Sequence, residues 1–443
     1  MKVDTSIETS ANSILLNNFL DRSFFKTWKD PEHGFVNYKR LELIVTSNCN
    51  LGCKYCYLSR FGDKLYPEEI RDSELIMCNL DMVIDWLIEN KMTPNIDLFS
   101  GELFYNEIGF KAIERILERY ENVSPKIAAI TVPSNFTFIQ YPKFTERVEA
   151  ILLKGKELGI TIFLSASFDG KFCETNRPMI KGNDNRDDEY YDKVFAFIKK
   201  WNCGIHPMIY SETIHNWKKN FLWFQEMMAK HDIPWYILYL LEVRNANWSV
   251  EETKAFGDFY RFITRWAYLK CGEDKQKFEQ FIFKFGFNTI KGVFSTIGRG
   301  LGCSIQSMLY VRLGDLAIVP CHRLSYSPFI IGNLEPSCDK ILEAKAKNIE
   351  LLIALQSLDA KNLPYCESCV LNHLCSLPCL GSNYETTGDI FTPIPTVCQL
   401  EHVRVKAILE ELNDIGILGQ LLLRISPEKA GAIHQVLDIE GDK

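Results

Sequence analysis

The chain has no apolar run near the roughly 18–20 residues of a membrane-spanning helix. Its start, Met1-Lys-Val-Asp-Thr-Ser-Ile-Glu8, has no basic segment followed by an apolar one, so it does not read as a secretory signal. Positive charge is also scarce: 50 Lys and Arg stand against 57 Asp and Glu, a net charge of −7. Phosphate backbones are held by clustered cations, so nucleic acid is not expected as the main partner. Internal repeats and low-complexity linkers are missing too. These absences lead to the expectation of a cytoplasmic protein with neither a membrane nor a nucleic-acid partner. The 443 residues suffice for about two to three domains. A core of that size needs no disulfide staples.

Cysteine is what the chain has in excess, at 15 residues. Cytosolic disulfides are rare, so metal or cluster ligation is the better expectation. Three cysteines form the run Cys49-Asn-Leu-Gly-Cys53-Lys-Tyr-Cys56, a CxxxCxxC. Seven more, Cys303, Cys321, Cys366, Cys369, Cys375, Cys379 and Cys398, form a patterned array. Cys78, Cys173, Cys203, Cys271 and Cys338 are scattered and read as small buried hydrophobes. A cubane cluster has four irons, each normally taking one thiolate. Three closely spaced thiolates hold three irons and leave the fourth for a substrate or cofactor. Zinc sites more often pair two CxxC units, or Cys with His.

From residue 41 to about 245, strand-like runs alternate with helix-like stretches. The strands are expected at Leu41–Thr46, Asn95–Ser100, Lys126–Pro133, Gly159–Ser167, Ile205–Tyr210 and Trp235–Glu242. Helical periodicity marks Ser73–Asn90, Phe144–Leu158 and Asp192–Lys200 between them. Such βα repeats predict a parallel sheet with chemistry at the C-terminal ends of its strands. Ser249-Val-Glu-Glu252 is a capping box opening a helix of about 20 residues. Tyr310–Val319 reads as a hairpin around Gly314-Asp315. After Cys398 an amphipathic helix is expected to about Asn413.

With the strand Leu41–Thr46 before it and Tyr55 ahead of its last cysteine, the CxxxCxxC loop resembles the cluster loop of radical S-adenosylmethionine (radical SAM) enzymes. The resemblance implies a [4Fe–4S] cluster on Cys49, Cys53 and Cys56. Its open iron is chelated by the amino and carboxylate groups of the cofactor's methionine moiety. Reductive cleavage then gives a 5′-deoxyadenosyl radical that abstracts hydrogen. The fold class implied is α/β: a partial (β/α)6 TIM-like barrel with a small cysteine-rich α+β SPASM domain at the C-terminus. Ser100-Gly101-Glu102 stands where the family usually has Gly-Gly-Glu, which receives the methionine ammonium. Ser134-Asn135 stands where Thr-Asn-Gly is frequent, with Phe136 in place of the glycine. Ser165, Ser167 and Asp169-Gly170 resemble the Ser-x-Asp-Gly segment that binds ribose hydroxyls. Arg177 is expected to pair with the methionine carboxylate. Tyr55, Ser100, Gly101, Glu102, Ser134, Asn135, Ser165, Ser167, Asp169 and Arg177 are thus the expected cofactor contacts.

The array Cys366-x2-Cys369-x5-Cys375-x3-Cys379, followed by Cys398 and preceded by Cys303 and Cys321, resembles the SPASM extension of peptide- and protein-modifying radical SAM enzymes. Ile331-Gly-Asn-Leu334 fits the same pattern. By that resemblance Cys366, Cys369, Cys375 and Cys398 hold a distal [4Fe–4S] cluster, and Cys303, Cys321 and Cys379 a proximal one. Ser304–Leu309 offers no thiol as a fourth proximal ligand, which leaves an iron open unless Cys338 or His322 fills it. The expected cofactors are three [4Fe–4S] clusters and S-adenosyl-L-methionine.

The resulting organisation is an N-terminal cap at 1–40, a radical SAM barrel at 41–245, a helical bridge at 246–302, a SPASM domain at 303–400 and a C-terminal helix and tail at 401–443. The function it implies is a maturase of a ribosomal precursor peptide, forming a thioether or C–C crosslink or an epimerised residue. Its partners are that peptide and an external one-electron reductant; since 40 N-terminal residues are too few for a leader-binding winged helix, leader recognition is expected on a separate leader-binding protein or on the barrel itself. Two other readings stand beside it. One is sulfatase-maturase-like oxidation of a protein Ser or Cys, or of a small alcohol; the other is a non-catalytic iron–sulfur binding protein. No catalytic base is assigned; Asp315 and Glu242 are candidates by placement only.

Overall fold

The computed structural model describes residues 40–99, 101–182, 184–244, 246–284, 286–294, 305, 308–336, 342–356, 363, 365–375 and 379–438. Residues 1–39 of the cap expected at 1–40, together with Ser100, Cys303 and Cys338, lie outside the described residues. Among the described residues, no helix is long and apolar enough to cross a membrane.

Five parallel strands form the barrel wall: β1 (Arg40–Ile44), β2 (Asn95–Phe99), β3 (Ala129–Ser134), β4 (Thr161–Ala166) and β5 (Gly204–Ile205). Between and after them run α1 (Tyr57–Leu65), α2 (Ser73–Glu89), α3 (Glu107–Arg119), α4 (Pro142–Leu158), α5 (Asp188–Trp201) and α6 (Trp217–Lys230). Local signals set their ends. Asp72 caps α2 by accepting the Leu75 amide, and α4 starts on Pro142 and stops at left-handed Gly159. In β1, Leu41 and Leu43 are buried in the apolar core that the helices cover.

Two expected strands differ from their sequence reading. The run Ile205–Tyr210 is split at Pro207, and β6 (Met208–Ile209) leaves the main sheet to pair in parallel with β7 (Leu241–Glu242). Proline has no amide to give the ladder, so the strand breaks there. Of the run 235–242 only β7 is strand, and Leu238 ahead of it makes a single bridge to Ile205 of β5.

The hairpin expected near Gly314 is β8 (Met308–Arg312) and β9 (Ala317–Val319). A Cβ on Gly314 would lie 2.0 Å from the Ile70 carbonyl oxygen, so only glycine fits this seat. β8 also pairs in parallel with β1, with Leu41 beside Leu309. β10 (Gly332–Pro336) and β11 (Leu342–Ala346) extend the same sheet, giving the nine-strand order β11-β10-β9-β8-β1-β2-β3-β4-β5. The cysteine-rich region is therefore continuous with the barrel sheet.

The segment expected as a helical bridge contains α7 (Val250–Lys270), α8 (Lys275–Lys284) and α9 (Asn288–Phe294). The capping box of Ser249 and Glu252 forms as expected. Aromatic edges lock α7 to α6, with Trp266 at 5.0 Å from Phe221. Further on lie α10 (Ile349–Gln356), α11 (Leu380–Thr387), α12 (Pro395–Ile415), α13 (Leu418–Leu422) and α14 (Pro427–Asp438). Arg261 of α7 donates to Glu410 and Asp414 of α12 at 2.9 and 2.6 Å. Among the scattered cysteines Cys173 and Cys203 are buried, whereas Cys78 is exposed and Cys271 half-buried, against expectation. Cys78 lies on the α2 helix, whose buried face is made by Ile76, Leu80, Val83, Ile84 and Leu87.

Candidate active site

The cluster loop leaves the C-terminal end of β1 and is pinned from below. Gly52 and Lys54 donate their amides to the carbonyls of Pro178 and Asn176 at 2.8 and 2.9 Å, and Ile180 donates to Asn50 at 2.9 Å. The Asn50 side chain donates to Thr137 Oγ1 and accepts from Asn135 Nδ2, both at 2.8 Å. The Cys49 thiol is pushed up to about 12 by burial and by the Glu102 charge, with Cys53 and Cys56 adding to it. Burial raises Cys53 too, against the pull of Arg177. The three sulfurs thus share one neighbourhood. Buried thiols of this kind stay protonated unless a bound cation takes them, as a metal centre does.

The other strand ends meet this loop around a cavity of about 450 Å³. Gly101 has φ +63°, and a Cβ there would sit 2.3 Å from the Asn48 carbonyl oxygen. The chain needs glycine at this point so that the loops after β1 and β2 can touch. The Glu102 amide then donates to Asn48 at 2.8 Å. The Glu102 carboxylate is buried. It accepts from the Phe104 amide at 3.1 Å, Ser134 Oγ at 2.9 Å and the Asn135 amide at 2.5 Å. Burial raises its pKa while these three donors and Arg177 oppose the rise.

Gly101, Glu102, Ser134, Asn135, Ser167 and Arg177 line the cavity with the three cysteines. Tyr55, Ser165 and Asp169 do not; they form a layer behind it. Tyr55 Oη donates to Asp169 at 2.8–2.9 Å, and Asp169 also accepts the Met208 amide at 3.0 Å. Asp169 is fully buried and is therefore a bracket for the loops rather than a surface open to ribose hydroxyls. Ser165 Oγ bonds His206 Nδ1 at 2.7 Å. His206 itself lines the cavity and has no counterpart in the sequence reading. Burial and the Arg177 charge lower its pKa to about 4, so the ring is neutral. The signal for it was the His-Pro pair that breaks the fifth strand.

In the C-terminal region, Cys366 is pushed up to about 11 by burial and by Cys398 and Cys369. Burial raises Cys375 as well, with Cys366 and Cys398 contributing. These four thiols form one group, and His402 Nε2 stands 3.5 Å from Cys369 Sγ. Cys379 stands apart as N-cap of α11. Burial acts to raise its thiol, but Arg323, Arg244 and Ser382 outweigh that and lower it. Cys321 closes β9 at the start of the turn His322–Leu324. His322 Nδ1 is engaged by Glu42 at 2.9 Å, with the ring stacked 4.0 Å from Phe99.

Neither base candidate is available. Asp315 receives Arg312 through two nitrogens at 2.9 and 2.6 Å. Glu242 lies between Arg244 and Arg404 at 3.4 and 3.3 Å. Burial would raise its pKa, yet the two guanidinium charges hold it below the usual carboxylate value.

No protein-family model matches the chain. A 164-residue stretch is 25% identical to the radical SAM cyclopropyl synthase TigE of Paramaledivibacter caminithermalis, covering 32% of this chain and 34% of that protein. The match thus spans about a third of the curated relative's length. Among solved structures, anSMEcpe with bound AdoMet and the Cp18Cys peptide superposes with a TM-score of 0.55 at 18% identity, over 86% of this chain and 99% of that one. anSMEcpe with bound AdoMet alone gives a TM-score of 0.56 at 17% identity, over 86% and 99%. In fold over most of its length, and in sequence over a 164-residue stretch, the chain resembles the radical SAM enzymes.

Proposed function

We propose that the chain is a radical SAM maturase acting on a peptide. The observation that carries this reading is the convergence on one cavity of three thiols, the Gly101-Glu102 turn and the buried Arg177. These residues fit the cofactor chemically: thiols for three irons of a cubane, a carboxylate for an ammonium, and a guanidinium for a carboxylate. Cluster and S-adenosylmethionine, once bound, supply reductive C–S cleavage and hydrogen-atom abstraction.

The protein's own groups bind and orient. Cys49, Cys53 and Cys56 hold the cluster. Ser134, Phe104 and Asn135 fix the Glu102 carboxylate at the end of β2. Arg177 and Ser167 form the opposite wall, and neutral His206 adds a polar group without adding charge. Cys366, Cys369, Cys375 and Cys398 are proposed to hold a distal auxiliary cluster, with Cys303, Cys321 and Cys379 holding a proximal one. Arg323 and Arg244 beside Cys379 favour its thiolate, as cluster ligation requires. If bound there, such centres would supply a route for the electron that a substrate loses when a closed-shell product forms.

The fold shared with anSMEcpe, solved with a peptide bound, supports a peptide substrate and keeps oxidation of a protein Ser or Cys as the second reading. The likeness to a cyclopropyl synthase favours ring or bond formation. Mass spectrometry of candidate peptides after anaerobic turnover separates these outcomes. A loss of about 2 Da with a new intrapeptide linkage in fragment spectra supports bond formation. A loss of about 2 Da at a serine with a free carbonyl, or of about 18 Da at a cysteine whose thioaldehyde has taken up water and released hydrogen sulfide, supports simple oxidation. No peptide change of any kind under conditions that cleave the cofactor would remove the maturase reading.

A further inference from the structure

Arg177 is 6% exposed and lines the cavity. Its Nη2 donates to Ser167 Oγ at 3.1 Å. Its Nε and Nη1 have no hydrogen-bond partner, and Nη1 stands 3.8 Å from Asp169 Oδ1. Unpaired donors on a buried guanidinium are costly. A planar fork left in this state matches a carboxylate.

Arg177 lies in irregular backbone after the turn Glu174–Asn176, so something other than a helix or strand must hold it. Its amide donates to the Glu174 carbonyl at 2.9 Å, and its carbonyl accepts Arg186 Nη2 at 2.7 Å. Arg186 Nη1 donates to Glu174 Oε1 at 2.5 Å. Glu174 Oε2 accepts the amides of Asp169 and Gly170 at 2.9 and 3.0 Å. Asp184 takes the outer side of Arg186, at 2.7 Å to Nε and 2.5 Å to Nη2. The Arg186 side chain is 2% exposed, and neither it nor Glu174 lines the cavity. One buried ion pair thus ties the backbone of Arg177 to the turn that carries Asp169. Buried pairs add little net stability, and their best use is to fix geometry.

We propose that the Glu174–Arg186 pair is a positioning device that sets the Arg177 fork to receive the methionine carboxylate, making the pocket selective for S-adenosylmethionine over its decarboxylated form. This rests on the radical SAM reading. Arg177 touches the cofactor; Glu174 and Arg186 act through it. A structural role alone would affect both ligands alike, whereas positioning of the fork affects only the one with a carboxylate.

The test is equilibrium binding of S-adenosylmethionine and decarboxylated S-adenosylmethionine to the anaerobically reconstituted full chain. The native protein is expected to prefer the carboxylate form. In Arg186→Gln that form binds about tenfold more weakly, one charge-assisted hydrogen bond's worth, while the decarboxylated form is unchanged. Arg186→Lys keeps the charge but cannot span three acceptors, and retains part of the preference. Asp184→Asn, altered on the exposed side, shifts the preference in the same direction by less, and reports even where Arg186→Gln does not fold. Equal weakening of both ligands, or an intact preference in the variants, overturns the proposal. A native protein that binds both forms equally overturns it together with the role of Arg177. A native protein that binds neither overturns the radical SAM reading itself.

Discussion

At Gly101 two requirements coincide, a left-handed backbone and a contact that leaves no room for a Cβ. Gly101→Ala is expected to lower stability by roughly 1–3 kcal/mol and to weaken cofactor binding by displacing Glu102. Urea midpoints and cofactor titration check this; a variant equal to the native protein in both contradicts it. His206 gives a pH prediction. The unfolded ring takes up a proton near pH 6.5, but the folded one refuses it until about 4. Stability contributed by the neutral ring is therefore present above pH 6.5 and lost as pH falls through that window. His206→Asn should lose less stability than the native protein between pH 7 and pH 5, measured as urea midpoints; parallel losses contradict it. Gly101 and Glu102 were picked out in sequence through their resemblance to the Gly-Gly-Glu that radical SAM enzymes carry after the second strand. His206 was not, because its role depends on Ser165 and Arg177, which meet it only in the folded barrel. Tyr55 and Asp169 were expected as cofactor contacts, but their mutual bond takes both out of the cavity wall.

Among the elements, those with strong local signals matched their sequence reading. The capping box at Ser249 opened α7 where expected, and Ser249→Ala should cost about 1 kcal/mol, read as a lowered thermal midpoint with cofactor binding intact. An unchanged midpoint would show that aromatic packing of α7 on α6 alone sets its start. The fifth strand was misjudged because its apolar alternation runs straight through Pro207, and periodicity does not register a missing amide. The hairpin of β8 and β9 was legible from Gly314-Asp315, but its parallel pairing with β1 was not. That register joins residues more than 250 positions apart, beyond the reach of any local pattern.

For the whole molecule, the continuous nine-strand sheet brings the barrel and the cysteine array into one body, with His322 of the array reaching Glu42 and Phe99 of the barrel. Three cubanes would give about 12 irons per chain, four per cubane. Cys366→Ala with Cys398→Ala should remove about four of them and leave reductive cleavage of S-adenosylmethionine in place. Iron analysis checks the first and product analysis the second. Loss of cleavage, or no loss of iron, contradicts the assignment of these thiols to a separate centre.

Cys49, Cys53 and Cys56 are proposed to carry the centre that cleaves S-adenosylmethionine. The decisive measurement is the 5′-deoxyadenosine formed under dithionite by the reconstituted native chain and by Cys53→Ala. Product is expected from the native protein and none above background from the variant. Equal product from both, or none from a native protein with full iron content, would contradict it.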